Sequence, residues 1–295
     1  MANVVNYADK VSKVIEEKYL HTLLTKDLGV NDPTLEWDGA ETIKVPTLEV
    51  GGFGEHSRDG GWNRKSVSND WTPYKARHDR DVEFYVDKQQ VKDTNNVLNI
   101  GNIANKFIVT KSVEEKDSYR ISTIASDWIT NGGTPVTTAL TASNILTIFD
   151  DMMFAMNEAG VPEEGRILYL TNTTKRLFTE AIDAAKMRNI ADGTTTIVRG
   201  VNNLDNVKLV PVPAARMKDG YVYTDGCEPA PLAKQINMLL IHPSAVMPVL
   251  KTQSIYFFEP GQHTSGDGYL YQHRELSDIL VKKSKNSGIA IHKNA

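Results

Sequence analysis

Residues 51–80 read GGFGEHSRDGGWNRKSVSNDWTPYKARHDR, with no Leu, Ile or Met but with Phe53, Trp62, Trp71 and Tyr74. A stretch so poor in aliphatics cannot build a core of its own, and two tryptophans are poorly suited to lying wholly in water. Long loops in compact domains are uncommon and tend to be functional. Aromatics and Arg on a polar background have the composition of interface anchors. The segment is therefore expected to be a projecting arm buried against a neighbouring molecule. Its expected contact residues are Phe53, Arg58, Trp62, Arg64, Lys65, Trp71, Tyr74, Lys75 and Arg77.

Acids and bases interleave along this arm, from Glu55 and Arg58 to Asp79 and Arg80. A strip made to grip nucleic acid would be basic throughout. Mixed signs suit salt-bridged contact between copies of one protein. Strand-like runs flank the arm at 42–50 and 81–87, which together imply a long β-hairpin whose outer part is the arm. The glycine pairs 51–52 and 60–61 would let its backbone bend.

The chain has 295 residues and a formal charge of −4. No strongly basic field is present to hold DNA or RNA, although a container for nucleic acid is compatible with weak negative charge. Cys227 is the single cysteine, so neither an internal disulfide nor a cysteine-built metal site is available. No apolar run approaches the length that spans a bilayer. Charges spread through the first 20 residues argue against a signal peptide, and the chain reads as starting at or near Met1.

An amphipathic helix is expected over 7–27, with Tyr7, Val11, Val14 and Ile15 as contacts if it docks on a neighbour. Helices are expected over 95–109 and 112–129. Ser112 and Glu115 have capping-box spacing, and Ile121, Ile124, Ala125 and Trp128 share one face. Gly132 and Gly133 then mark a domain hinge. Beyond it, an α/β pattern runs from 135 to 245: a helix bearing Ile145, Ile148, Phe149, Met152, Met153 and Met156, then alternating strands and helix. Late strands over 249–258 and 269–282 would return to the early hairpin, with one more over 287–292.

Catalytic patterns are missing: the chain has no GxxxxGK[ST], GxSxG or HExxH. His263, His273 and Asp267 could meet around a late loop, but their spacing is unspecific for a metal. No catalytic residue, cofactor or metal is expected.

The opening MANVVNYADKVSKVIEEKYLHTLLTKDL, the arm DGGWNRKSVSNDWTPYKARHDRDVEFYVDKQQV and the segment SVEEKDSYRISTIA resemble major capsid proteins of tailed phages of Gram-positive bacteria. Where those proteins commonly carry Val-Pro-Glu, this chain has Ser112-Val113-Glu114. The resemblance covers residues 1 to about 130 and implies the Hong Kong 97-type capsid fold, an α+β class. It implies an N-terminal arm (1–31), the start of a peripheral domain (32–50), an extended E-loop (51–82) and peripheral domain with a long spine helix (83–134). An α/β axial domain (135–245) and returning peripheral strands (246–295) would follow.

The same resemblance implies a structural role: pentamers and hexamers closing into an icosahedral shell around double-stranded DNA. Partners would be the chain itself, a separate scaffolding protein, a portal protein and, non-specifically, packaged DNA, with no membrane. The protein would be made in the host bacterial cytoplasm and reside in the virion. Lys65 and Lys75 are donor candidates for an inter-subunit cross-link, but no acceptor is identifiable and none is expected. Two rivals stand beside this reading: an encapsulin-like nanocompartment shell, and a soluble α/β enzyme with its site in 135–245.

Overall fold

The structure is a computed structural model that describes residues 23–29, 37–38, 42–56, 62–93, 99–187, 203–204 and 206–295. Tyr7, Val11, Val14, Ile15 and Arg58 lie outside these residues, as does most of the expected first helix. Of that helix only residues 23–27 are described, and the 3-10 turn Leu24–Leu28 stands there.

A short strand and a hairpin come first: β1 (Trp37–Asp38), then β2 (Thr42–Val50) and β3 (Val67–Lys75). β4 (His78–Asp87) and α1 (Lys88–Asp93) follow. A rod then runs through α2 (Ile100–Phe107), a π-helical turn (Ile108–Ser112) and α3 (Val113–Thr130). Next are α4 (Ile145–Glu158), β5 (Ile167–Thr171), α5 (Asn172–Met187), β6 (Asn203–Leu204) and β7 (Val207–Val212). The chain closes with β8 (Tyr221–Val222), β9 (Glu228–Pro229), β10 (Ile236–Ile241), β11 (Val246–Phe258), β12 (Gly268–Val281) and β13 (Ile289–Lys293).

Asn99 starts the rod: it is extended, and its side chain accepts the Gly101 N–H at 2.9 Å. The expected capping box at Ser112 does not form. Ser112 is itself helical (φ −63°, ψ −43°) because the helix arrives from upstream, so the N–H groups there are not those of a free helix start. Glu115 instead pairs with Arg80 at 2.7 Å. The rod ends at the expected glycines. Gly132 takes φ +94°, the Gly132 N–H donates to Ile129 O, and the Gly133 N–H donates to Trp128 O. A Cβ on Gly133 would lie 2.3 Å from the Trp128 ring. The expected hinge is thus a hydrogen-bonded stop packed on Trp128, whose Nε1–H donates to Asn286 O.

β5, β7 and β10 form a five-stranded sheet with β6 and β13, in the order β13-β10-β5-β7-β6. Strand alternation splits its side chains between two cores. Leu168, Leu170, Met238 and Leu240 face α4 and α5, meeting Phe149, Met152, Met156 and Phe178. Ile167, Tyr169, Leu239 and Ile241 face α3, meeting Ile121, Ile124 and Trp128. The segment 135–245 therefore closes one core alone and shares the other with the rod. The last strand forms as expected, and β13 pairs with β10, its Ile289 and Ile291 filling the shared core.

β12 pairs with both β11 and β4, making a second sheet in the order β11-β12-β4. Its inner face carries Phe84, Val86 and Tyr271 against Ile100 and Ala104 of the rod. The late strands do return to an early one, but the early pairing is corrected. Strand 42–50 pairs with Val67–Lys75, not with 81–87. Nine residues of the supposed loop, Val67–Lys75, are thus themselves a strand.

Candidate assembly interface

β2 and β3 form a hairpin whose two faces have opposite fates. Register places Ile43 opposite Tyr74 and Val45 opposite Thr72 on one face. At the base this face packs on Met247, Val249 and Leu280. The other face carries Pro46 opposite Trp71, Leu48 opposite Asn69 and Val50 opposite Val67. Leu48, Val50 and Val67 are each about two-thirds exposed, and Trp71 is 52% exposed. An exposed apolar stripe of this kind makes this face a candidate interaction surface.

The hairpin neck is locked to the body. Arg77 is held by Asp127 at 2.8 Å and by Asp278, which accepts the Arg77 backbone N–H at 2.9 Å. The Tyr119 hydroxyl donates to the other Asp278 oxygen at 2.9 Å. Burial pushes the Asp278 carboxyl up, opposed by Arg77 and these hydrogen bonds. Arg77, expected to face a neighbour, is matched within its own chain. Tyr74 is likewise half-buried in its own core.

Farther out, the Gly51 N–H donates to Ser66 O, extending the ladder. Gly51 and Gly54 stand where the opposing side chains come close: a Cβ would lie 2.8 Å from Lys65 Cβ and 2.9 Å from Asn63 Cγ. Gly51, expected to let the backbone bend, thus serves close approach of the opposing segment, and so does Gly54. Phe53 is fully exposed and Trp62 is 95% exposed. Arg64, Lys65 and Lys75 are also exposed.

Beneath the hairpin, polar groups cluster between the rod and β12. Lys116 contacts Glu275. Burial lowers the lysine's proton affinity more than Glu275 restores it. Burial also opposes charge on Glu275, but Lys116, Ser277 and His273 together hold that carboxyl below its usual range. His78 stacks on Tyr119 with centroids 3.9 Å apart. Burial, then Arg80, depress its pKa to about 4. On the rod, Asp117 accepts from the Thr25 hydroxyl at 2.9 Å and its N–H at 3.1 Å, tying down the 24–28 turn.

The other expected chemistry is dispersed. His263 and His273 do not meet: His263 sits in the 259–267 loop against Tyr85 and Phe258, while His273 is buried on the inner face beside Phe107 and Tyr271. Among the described residues no group of three His, Cys, Asp or Glu could hold a metal. Burial first of all pushes the Cys227 thiol up to about 11, which leaves it unreactive near neutrality. Among the described residues no helix is long and apolar enough to cross a membrane. The exposed apolar residues that composition did not single out are Leu48, Val50 and Val67. Their signal was the period-two alternation of 42–50, legible only once its partner strand is known.

Comparison with solved structures identifies the architecture. The chain resembles the mature capsid of bacteriophage PhiM1 with a TM-score of 0.61 and 12% identity, over 88% of this chain and 83% of that one. It resembles the capsid of cyanophage P-SCSP1u with a TM-score of 0.60 and 11% identity, over 88% and 85%. A virus-like particle from Pyrococcus furiosus aligns over 97% of this chain and 99% of its own, with a TM-score of 0.52 and 12% identity. No family model and no curated relative matches the chain. The chain has the fold of phage capsid proteins, the Hong Kong 97 type.

Proposed function

We propose that this protein is a major capsid protein: a shell subunit whose copies assemble, as pentamers and hexamers, into an icosahedral head that encloses double-stranded DNA. The observation that carries this reading is the hairpin. Phe53, Trp62, Leu48, Val50 and Val67 project into solvent from a locked neck. Burying one such aromatic is worth on the order of 3 kcal/mol, and a closed lattice repeats that gain at every contact. The fold supports the same reading, since these phage capsids share it over 88% of this chain.

In this reading the hairpin is the E-loop, the rod is the spine helix, and the five-stranded unit is the axial domain. The protein acts without catalysis, in the virion after synthesis in the bacterial cytoplasm. Its partners are other copies of itself, a scaffolding protein, a portal and, non-specifically, packaged DNA. Expression with electron microscopy and sedimentation tests the proposal: closed particles support it, and an enzyme-like 33-kDa monomer under all assembly conditions refutes it. The Pyrococcus particle, aligned over nearly all of both chains, favours a second reading as a nanocompartment shell. Protein rather than nucleic acid inside purified particles would select it.

A further inference from the structure

A cavity of about 540 Å³ lies between the rod and the inner face of β4 and β12, and the turn that joins β8 to β9 closes a third side. Its floor follows from register. Ser277 stands opposite His78, Glu275 opposite Arg80 and His273 opposite Val82, and strand alternation turns all six side chains toward the rod. The rod supplies Phe107, Lys111, Ser112, Glu115 and Lys116. The π-helical turn Ile108–Ser112 falls within that span. Such turns recur at functional sites, where the inserted residue shifts the side chains beyond it around the helix.

The charges inside cancel. Arg80 Nε donates to Glu115 at 2.7 Å, and its Nη1 donates to Tyr223 O at 2.6 Å. Lys116 is paired with Glu275. Burial, above all, keeps both His78 and His273 neutral near pH 7. At the mouth exposed Lys111 stands with exposed Asp81 and Asp225, so the signs are mixed there too. A fully charged guest would lose its hydration and meet no unmatched counter-charge inside.

One polar group on the floor is unmatched. His273 is 7% exposed, and its Nε2 has no hydrogen-bond partner among the described residues. Buried polar atoms are rarely left so. An apolar guest would leave that nitrogen unmatched and would lie against two ion pairs. The guest that fits is neutral and carries several groups that both donate and accept. A hydroxyl does this: it meets either tautomer of His273, donates to a carboxylate oxygen, and accepts from an Arg or Lys N–H. The aromatic wall points the same way. Phe84 and Phe107 stand edge to face at 5.3 Å with planes 67° apart, so they offer a C–H-bearing ring a wall and a flat heterocycle no parallel slot. The volume lies within the range of small-molecule sites.

We infer that this cavity is a binding site for a neutral polyhydroxyl molecule of sugar size, held by His273, Arg80, Glu115 and the Lys116–Glu275 pair. The site lies within one chain and goes beyond the shell-subunit reading, which stands or falls separately. Calorimetric titration of the full, unassembled chain with glucose and with trehalose tests it. At least one of the two should give a saturable one-site isotherm, with a dissociation constant on the order of 1 mM. Thr224→Trp, at an exposed position on the mouth, should weaken that binding about tenfold or more while leaving the urea midpoint unchanged. His273→Phe should weaken it similarly by removing the unmatched nitrogen. Inorganic phosphate and spermidine, the charged probes, should give no saturable heat. No saturable heat with either sugar, undiminished binding by the Thr224→Trp chain, or tighter binding of phosphate or spermidine overturns the assignment. So does stabilisation by sugar that never saturates, which is exclusion from the whole surface and needs no site.

Discussion

Replacing Lys116 by Met removes one partner of the ion pair that joins the rod to β12. The two side chains are only 12% and 10% exposed, so Glu275 would be left with a buried and uncompensated charge. Breaking such a pair costs about 3–5 kcal/mol, a large part of the ~5–15 kcal/mol that holds a typical domain folded. The cost depends on pH, and its sign follows from the same groups. Without Lys116, burial dominates at Glu275 and raises its folded pKa above the ordinary value of 4.5. The folded state then holds the proton more tightly than the unfolded state. The deficit is largest at pH 8 and shrinks as pH falls through the raised value. Urea unfolding of unassembled chain, followed by tryptophan fluorescence at pH 8 and pH 5, measures both effects. Adding Glu275→Gln should recover all but about 1 kcal/mol, because neither partner is then charged. A loss below ~1 kcal/mol at pH 8, or one that does not shrink at pH 5, would refute the reasoning.

Other outcomes follow from the same geometry. Trp62→Ala should abolish or strongly reduce particle formation while leaving the urea midpoint of the monomer unchanged, since the side chain is 95% exposed; a lowered midpoint would show that it packs within its own chain. Gly133→Ala must displace the Trp128 ring from 2.3 Å and should cost about 1–3 kcal/mol by thermal unfolding. His78, depressed to about 4 in the fold, should lower stability as pH falls from about 6.5 to about 4, by up to ~3 kcal/mol. The unfolded chain binds that proton first, so His78→Gln should flatten this part of the profile, and an unchanged slope would reject the assignment.

Much of the architecture was legible in residue order because it depends on local chemistry. Residues 51–80 lack the aliphatics for a core, and among them Phe53 and Trp62 stand in solvent. Ile121, Ile124, Ala125 and Trp128 share a helical face by spacing alone, and all four are buried. Gly132 ends that helix at positive φ, as its conformational freedom predicts, and Gly133 follows packed on Trp128.

Pairing was decided elsewhere. Whether 42–50 joins 67–75 or 81–87 depends on β12, which takes 78–87 for itself through a ten-pair register. Once that choice is made, strand alternation exposes Leu48, Val50 and Val67 on the face opposite Ile43 and Tyr74. It likewise gathers Tyr85, Tyr256 and Phe258 from strands some 170 residues apart in the chain. The fate of Arg77 was hidden for the same reason, because its partners Asp127 and Asp278 are brought to it only by folding. Composition and short-range periodicity report which segments can bury themselves. Which face looks outward is set by long-range register, and that exists only in the assembled sheets.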